Sequence, residues 1–145
     1  MAGTKVSDVA VAVVVQDEWT VDDERQLSYT SVICLAECVR ELHWNRDVEP
    51  LVSTALDSTI RNLGSVFSRP MFIGDLIVLS YRITAVGTTS YRMTVELSTG
   101  SDRCAAIDLT SVFVHPERRS RTAPPPEVRA RLDAARRAAE PKSPH

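Results

Sequence analysis

Glu37 and Arg40 stand three residues apart in a stretch whose apolar residues recur at the helical period. A carboxylate at the edge of an apolar arc is a candidate general base. An Arg one turn away can orient it, or simply hold it in an i,i+3 ion pair. Ser28, Tyr29 and Thr30 sit where that helix should begin, and Ser28, Thr30 or Ser31 can cap it. A helix N-terminus carries free N–H groups and a favourable dipole, so an oxygen that develops negative charge is stabilised there. The hydroxyls of Ser28, Tyr29 and Thr30 are placed to hold water or a carbonyl beside it. Cys34, Cys38 and His43 share the stretch. They are spaced four and five apart, with no CxxC pair or carboxylate-rich set beside them, so no metal and no cofactor is expected. The cysteines read as small buried hydrophobes. His43 falls on the core arc and reads as a packed helix residue.

The helix that carries these groups should run from Ser28 to about Asn45. Val32, Leu35, Ala36, Val39, Leu42 and His43 share one arc, widened by Ile33 and Trp44, so most of its girth should be enclosed. Before it, Val9 to Val15 reads as a strand apolar on both faces and covered on both sides. After a connection over 46–53 come four strand-like stretches. The first spans about Thr54 to Ser68 with a bend expected near Gly64, and Gly74-Asp75 punctuates the start of the next. Ile77 to Ala85 alternates, Gly87-Thr88-Thr89 is a turn signal, and Tyr91 to Leu97 alternates again. After Gly100-Ser101-Asp102, Ala105 to Val114 closes the set. Pro124-Pro125-Pro126 breaks the chain before a helix over Glu127 to Ala139. Its apolar residues are nearly all Ala, so weak docking or fraying is expected. Strand, long helix, then antiparallel strands make an α+β fold with a sheet curved around the helix.

Charge divides the 145 residues unevenly. Residues 1–115 hold 9 basic and 15 acidic side chains, a balance of −6, and residues 116–145 hold 8 and 4, a balance of +4. The acidic body disfavours nucleic acid. The basic tail, with Arg118, Arg119 and Arg121, reads first as a solvated, solubilising end, and its charge can also attract phosphates or an acidic partner. The Val run is too short to span a bilayer, so no membrane role is expected. Three cysteines fit a reducing, cytoplasmic setting better than a disulfide scaffold.

The segment Phe67-Ser68-Arg69-Pro70-Met71-Phe72-Ile73-Gly74-Asp75, followed by a strand, a Gly turn and Ser90, resembles the hot-dog thioesterases of the 4-hydroxybenzoyl-CoA type. Glu37 and Arg40 stand where many members carry an acidic residue and an Arg on the helix. Cys38-Val39-Arg40-Glu41-Leu42 is also similar to the helix of polyketide-releasing thioesterases of enediyne pathways. The resemblance covers about residues 8–115, a hot-dog domain counted as 1–115, and leaves 116–145 as a basic Pro/Arg/Ala-rich tail.

The resemblance implies hydrolysis of a thioester carried by coenzyme A or an acyl carrier protein, in polyketide or other secondary metabolism. It implies a homodimer or homotetramer with sites shared between protomers. It offers two carboxylates. Counting back from Arg40 places the aspartate of some members at Asp22. The stretch from Asp22 to Tyr29 lacks the Gly, His or Asn found there in the family, which puts Glu37 first and Asp22 second. Ser68 and Arg69 would line the pantetheine entrance, or serve only strand packing before the Pro turn. Two other readings remain: a hot-dog dehydratase, which needs a His absent from such a motif here, and a non-catalytic module that binds an acyl ligand or a partner.

Overall fold

The computed structural model describes residues 9–21, 23–52 and 55–140. Strand β1 (Val9–Val14) leads into two short strands, β2 (Thr20–Val21) and β3 (Gln26–Leu27), which pair as a small hairpin. Helix α1 follows (Tyr29–His43), then β4 (Asp57–Phe67), β5 (Leu76–Val86), β6 (Ser90–Thr99), β7 (Asp102–Val114) and helix α2 (Pro126–Ala139). The main sheet is antiparallel in the order β1-β5-β6-β7-β4, with β1 and β4 at its edges.

Alternation puts Tyr91, Met93, Val95 and Leu97 of β6, and Ala105, Ile107, Leu109 and Phe113 of β7, on one face, all buried. Val32, Ala36 and Val39 of α1 meet that face and are at most 1% exposed. The helix packs chiefly on β1, β5 and β6. Its far side is bare: Tyr29 is 60% and Leu42 46% exposed. Cys34 and Cys38 are exposed there too, contrary to the expectation of buried thiols, and only Cys104 is buried. One sheet covers one side of a helix, so enclosure over most of its girth is not reached within a single chain.

Other expectations shift in similar ways. Ala12 and Val14 of β1 are exposed, so this edge strand is covered on one side rather than both. The expected connection at 46–53 continues α1 as a π turn (Trp44–Val48) and a 3-10 turn (Glu49–Leu51). The β4 irregularity falls between Ile60 and Asn62, whereas Gly64 pairs in register with Asp108. Helix α2 does not merely lie on the surface. It packs on β5, and its two large apolar residues, Val128 and Leu132, are both 0% exposed. Two anchors outweigh the alanines around them.

Candidate active site

Ser28 caps α1. Its Oγ accepts from the Ser31 N–H at 3.1 Å and donates to the Ser31 Oγ at 2.9 Å. The first helical bond runs from the Val32 N–H to the Ser28 carbonyl at 3.0 Å. The N–H groups of Tyr29 and Thr30 therefore have no acceptor within the helix. Neighbouring backbone fixes the position of this end. The Ser28 N–H donates to the Trp19 carbonyl at 2.9 Å, and the Leu27 N–H donates to the Met71 carbonyl at 2.7 Å.

The segment Phe67 to Asp75 divides into two tasks. Phe72 to Asp75 forms a turn in which the Asp75 carboxylate accepts from the Phe72 N–H at 2.8 Å. Gly74 takes φ +87° there, a conformation that favours glycine. Phe67 to Met71 faces the start of α1. The Ser68 N–H donates to the Cys104 carbonyl at 2.8 Å, which pins this stretch to β7. Between the two lies a cleft of about 220 Å³, lined by Tyr29, Val32, Phe67, Ser68, Arg69 and Met71 among others. The Tyr29 and Phe67 rings lie 4.4 Å apart across it. Arg69 is exposed and donates to Asp102 at 2.5 Å. Of the residues expected to bind substrate, the cleft gathers Tyr29, Ser68 and Arg69. Ser28 acts as the cap, and Thr30 is exposed on the first turn. Asp22 lies outside the described residues.

Glu37 and Arg40 stand two to three turns farther along the helix. Arg40 clamps the carboxylate with two donors, Nε to Oε1 at 2.5 Å and Nη2 to Oε2 at 3.0 Å. Its Nη1 donates to the Ser58 Oγ on β4 at 2.7 Å. Arg40 is 9% exposed. Burial works against its charge, but the bonds and charge of Glu37 outweigh that and hold the guanidinium above its ordinary pKa. Glu37 is eight residues from Tyr29, about 12 Å along the axis at 1.5 Å per residue. The carboxylate and the helix N-terminus are therefore not neighbours within one chain.

Beneath Arg40 lies Tyr91, 1% exposed, directly opposite Ser111 in the β6–β7 ladder. Burial pushes its hydroxyl pKa up, offset in part by Arg40, Ser111 and Ser58. The Tyr91 hydroxyl and the Ser111 Oγ feel these neighbours without a well-aligned hydrogen bond. Ser58, Tyr91 and Ser111 were not singled out from sequence. The signal was legible in Ser111, a polar residue on the inner face of β7 between Leu109 and Phe113. A cleft of about 280 Å³ opens above Arg40 and Ser58, walled by Glu41, Trp44, Asn45 and Asp57.

Among the described residues, the histidines and cysteines form no site together. His43 is 3% exposed and turns inward to Tyr81 and Tyr91, whereas Cys34 and Cys38 face outward. His115 accepts at Nδ1 from the Arg118 N–H at 3.2 Å, in the turn after β7. Among the described residues, no His lines the cleft at the start of α1.

No protein-family model and no curated protein sequence matches the chain. Solved structures do match its fold. A thioesterase from Thermus thermophilus, complexed with coenzyme A and zinc, superposes with a TM-score of 0.76 and 18% identity over 92% of this chain and 97% of that one. A hypothetical protein of Staphylococcus aureus in complex with coenzyme A gives 0.82 and 8% identity over 98% and 92%. A 1,4-dihydroxy-2-naphthoyl-CoA thioesterase from Synechocystis gives 0.71 and 12% identity over 85% and 93%. The order of elements, the antiparallel sheet and these superpositions establish that this chain has the hot-dog fold.

Proposed function

We propose that the chain hydrolyses an acyl thioester carried by coenzyme A or an acyl carrier protein. The observation that carries this reading is the cleft at the N-terminus of α1, set in a fold shared with a thioesterase solved with coenzyme A. The carbonyl oxygen meets the free N–H groups of Tyr29 and Thr30, which stabilise the oxyanion as it forms. A carboxylate takes a proton from water as the water oxygen bonds to the carbonyl carbon. The C–S bond then breaks, and the departing thiolate recovers that proton. Ser28 holds the first turn, and Ser68 and Arg69 line the pantetheine entrance. Glu37 is the first choice for the carboxylate, oriented by Arg40, and Asp22 the second.

The distance of about 12 Å between Glu37 and the helix N-terminus is met by pairing two copies. β4 is an edge strand, and Leu63 and Val66 on it are 37% and 64% exposed. Full antiparallel overlap of β4 with its copy about a two-fold axis sets Asp57 of one chain opposite Phe67 of the other. Glu37, Arg40 and Ser58 of one chain then flank the helix N-terminus of its partner. We therefore assign a homodimer with sites built from both chains. Three cysteines without a disulfide fit a cytoplasmic enzyme. The similarity of Cys38 to Leu42 with polyketide-releasing enzymes supports a polyketide-type acyl group. Arg118, Arg119 and Arg121 are suited to the carrier's phosphates or acidic surface.

The test is thiol release from a panel of acyl-coenzyme A esters, and from the same acyl groups on a carrier protein. Release that falls at least about 100-fold in Glu37→Gln supports the assignment. Full activity in Glu37→Gln with loss in Asp22→Asn moves the base to Asp22. Acyl binding without thiol release from any ester makes the chain a binding module.

A further inference from the structure

We infer that Ser58 and Tyr91 are positioning residues, acting through Arg40 to hold the Glu37 carboxylate in one orientation. The inference rests on Glu37 being the base and goes beyond it by naming what fixes that base. A guanidinium on a flexible stem can swing, and a carboxylate bonded to it swings with it. Arg40 cannot do so freely. Nε and Nη2 are committed to Glu37, and Nη1 is tied to the Ser58 Oγ at 2.7 Å, across 18 residues of sequence. Three points in one plane fix the plane. The Tyr91 ring, wedged against Phe113 at 5.4 Å, closes the space beneath. Its hydroxyl lies within the field of Arg40, Ser58 and Ser111, so the guanidinium rests on a polar floor rather than an apolar one.

The arrangement leaves the outer lone pairs of Glu37 directed away from Arg40. A base held in this way needs little rearrangement when a proton moves. Ser58 lies at the start of the exposed edge strand, so pairing of β4 with a second copy would also order the clamp. Burying an Arg is unfavourable unless its donors are filled. The network gives each guanidinium nitrogen one acceptor and directs the charge at one carboxylate.

The experiment measures kcat and KM for thiol release by Ser58→Ala, Ser58→Thr, Tyr91→Phe and Glu37→Gln, and by Ser58→Ala combined with Glu37→Gln. Ser58→Ala should lower kcat about 3- to 10-fold with KM unchanged, and Ser58→Thr should restore most of it. Tyr91→Phe keeps the ring and should lower kcat about 2- to 5-fold. In the Glu37→Gln background Ser58→Ala should have no further effect, because the group it positions is gone. A kcat equal to the parent's in both Ser58→Ala and Tyr91→Phe, beside a large loss in Glu37→Gln, overturns the inference and leaves the base assignment standing. So does an equal, additive loss in both backgrounds, which marks a purely structural network. Full activity in Glu37→Gln, or no thiol release by the parent protein, overturns the base assignment and this inference with it.

Discussion

His43 offers a quantitative test of the core. It sits at the last turn of α1, 3% exposed, with its ring against Tyr81 at 5.4 Å and Tyr91 at 6.1 Å. Its Nε2 is 3.8 Å from Asp47, and Nδ1 has no hydrogen-bond partner. Burial lowers its pKa from 6.5 to about 4; Asp47 opposes that and the charges of Arg46 and Arg131 add to it. The unfolded chain therefore takes up a proton near pH 6.5, whereas the folded chain does so only near pH 4. Between those values the unfolded state binds more protons, so stability rises with pH and is lost as pH falls. At about 1.4 kcal/mol per pH unit of separation, the full loss approaches about 3 kcal/mol, of which about 2 kcal/mol is gone by about pH 4.5. Other groups titrate in this window, so the measurement is a difference. Urea unfolding of the parent and of His43→Phe, which keeps a ring but cannot titrate, is compared at about pH 7 and about pH 4.5. The parent should lose about 2 kcal/mol more than the variant. Equal losses in the two proteins would refute a neutral, desolvated His43.

Three further outcomes follow from burial and backbone geometry. Leu132→Ala should cost about 2–4 kcal/mol in urea unfolding, because the side chain is fully enclosed between α2 and the sheet; a cost below about 0.5 kcal/mol would mean that α2 is not docked in solution. Gly74→Ala should cost about 1 kcal/mol from φ +87° alone, since no atom beyond the adjoining residues lies within 4 Å of the added methyl; an unchanged midpoint would contradict that turn. A thiol reagent should label Cys34 and Cys38 in the native protein and Cys104 only after unfolding. Partial desolvation at the helix surface, with help from Glu41, holds the Cys38 thiol above its ordinary pKa, so its labelling should need a pH above that of an ordinary thiol.

Sequence alone determined whatever depends on local chemistry. The period of Val32, Ala36 and Val39 required a helix, and Ser28, Thr30 and Ser31 offered hydroxyls to cap it, of which the structure uses Ser28. Alternation across Tyr91 to Leu97 required a half-buried strand, and Gly74-Asp75 required a turn. From these follows the order of elements, whereas the cleft that Phe67 to Met71 makes with the start of α1 joins distant segments and came from the fold. Tertiary structure decided what depends on which face meets which. Periodicity shows that a helix has an apolar side but not how far a sheet of five strands reaches around it, so Cys34 and Cys38 emerged exposed. Composition counted the alanines of α2 but not the cavity that Val128 and Leu132 fill. Most of all, Arg40 reaches Ser58 across 18 residues, and Tyr91 meets Ser111 only because β6 and β7 pair in that register. Such contacts come from the packing of distant segments, which no spacing along the chain encodes. Sequence could therefore name Glu37 and Arg40, whereas the surroundings that hold them in place required the fold.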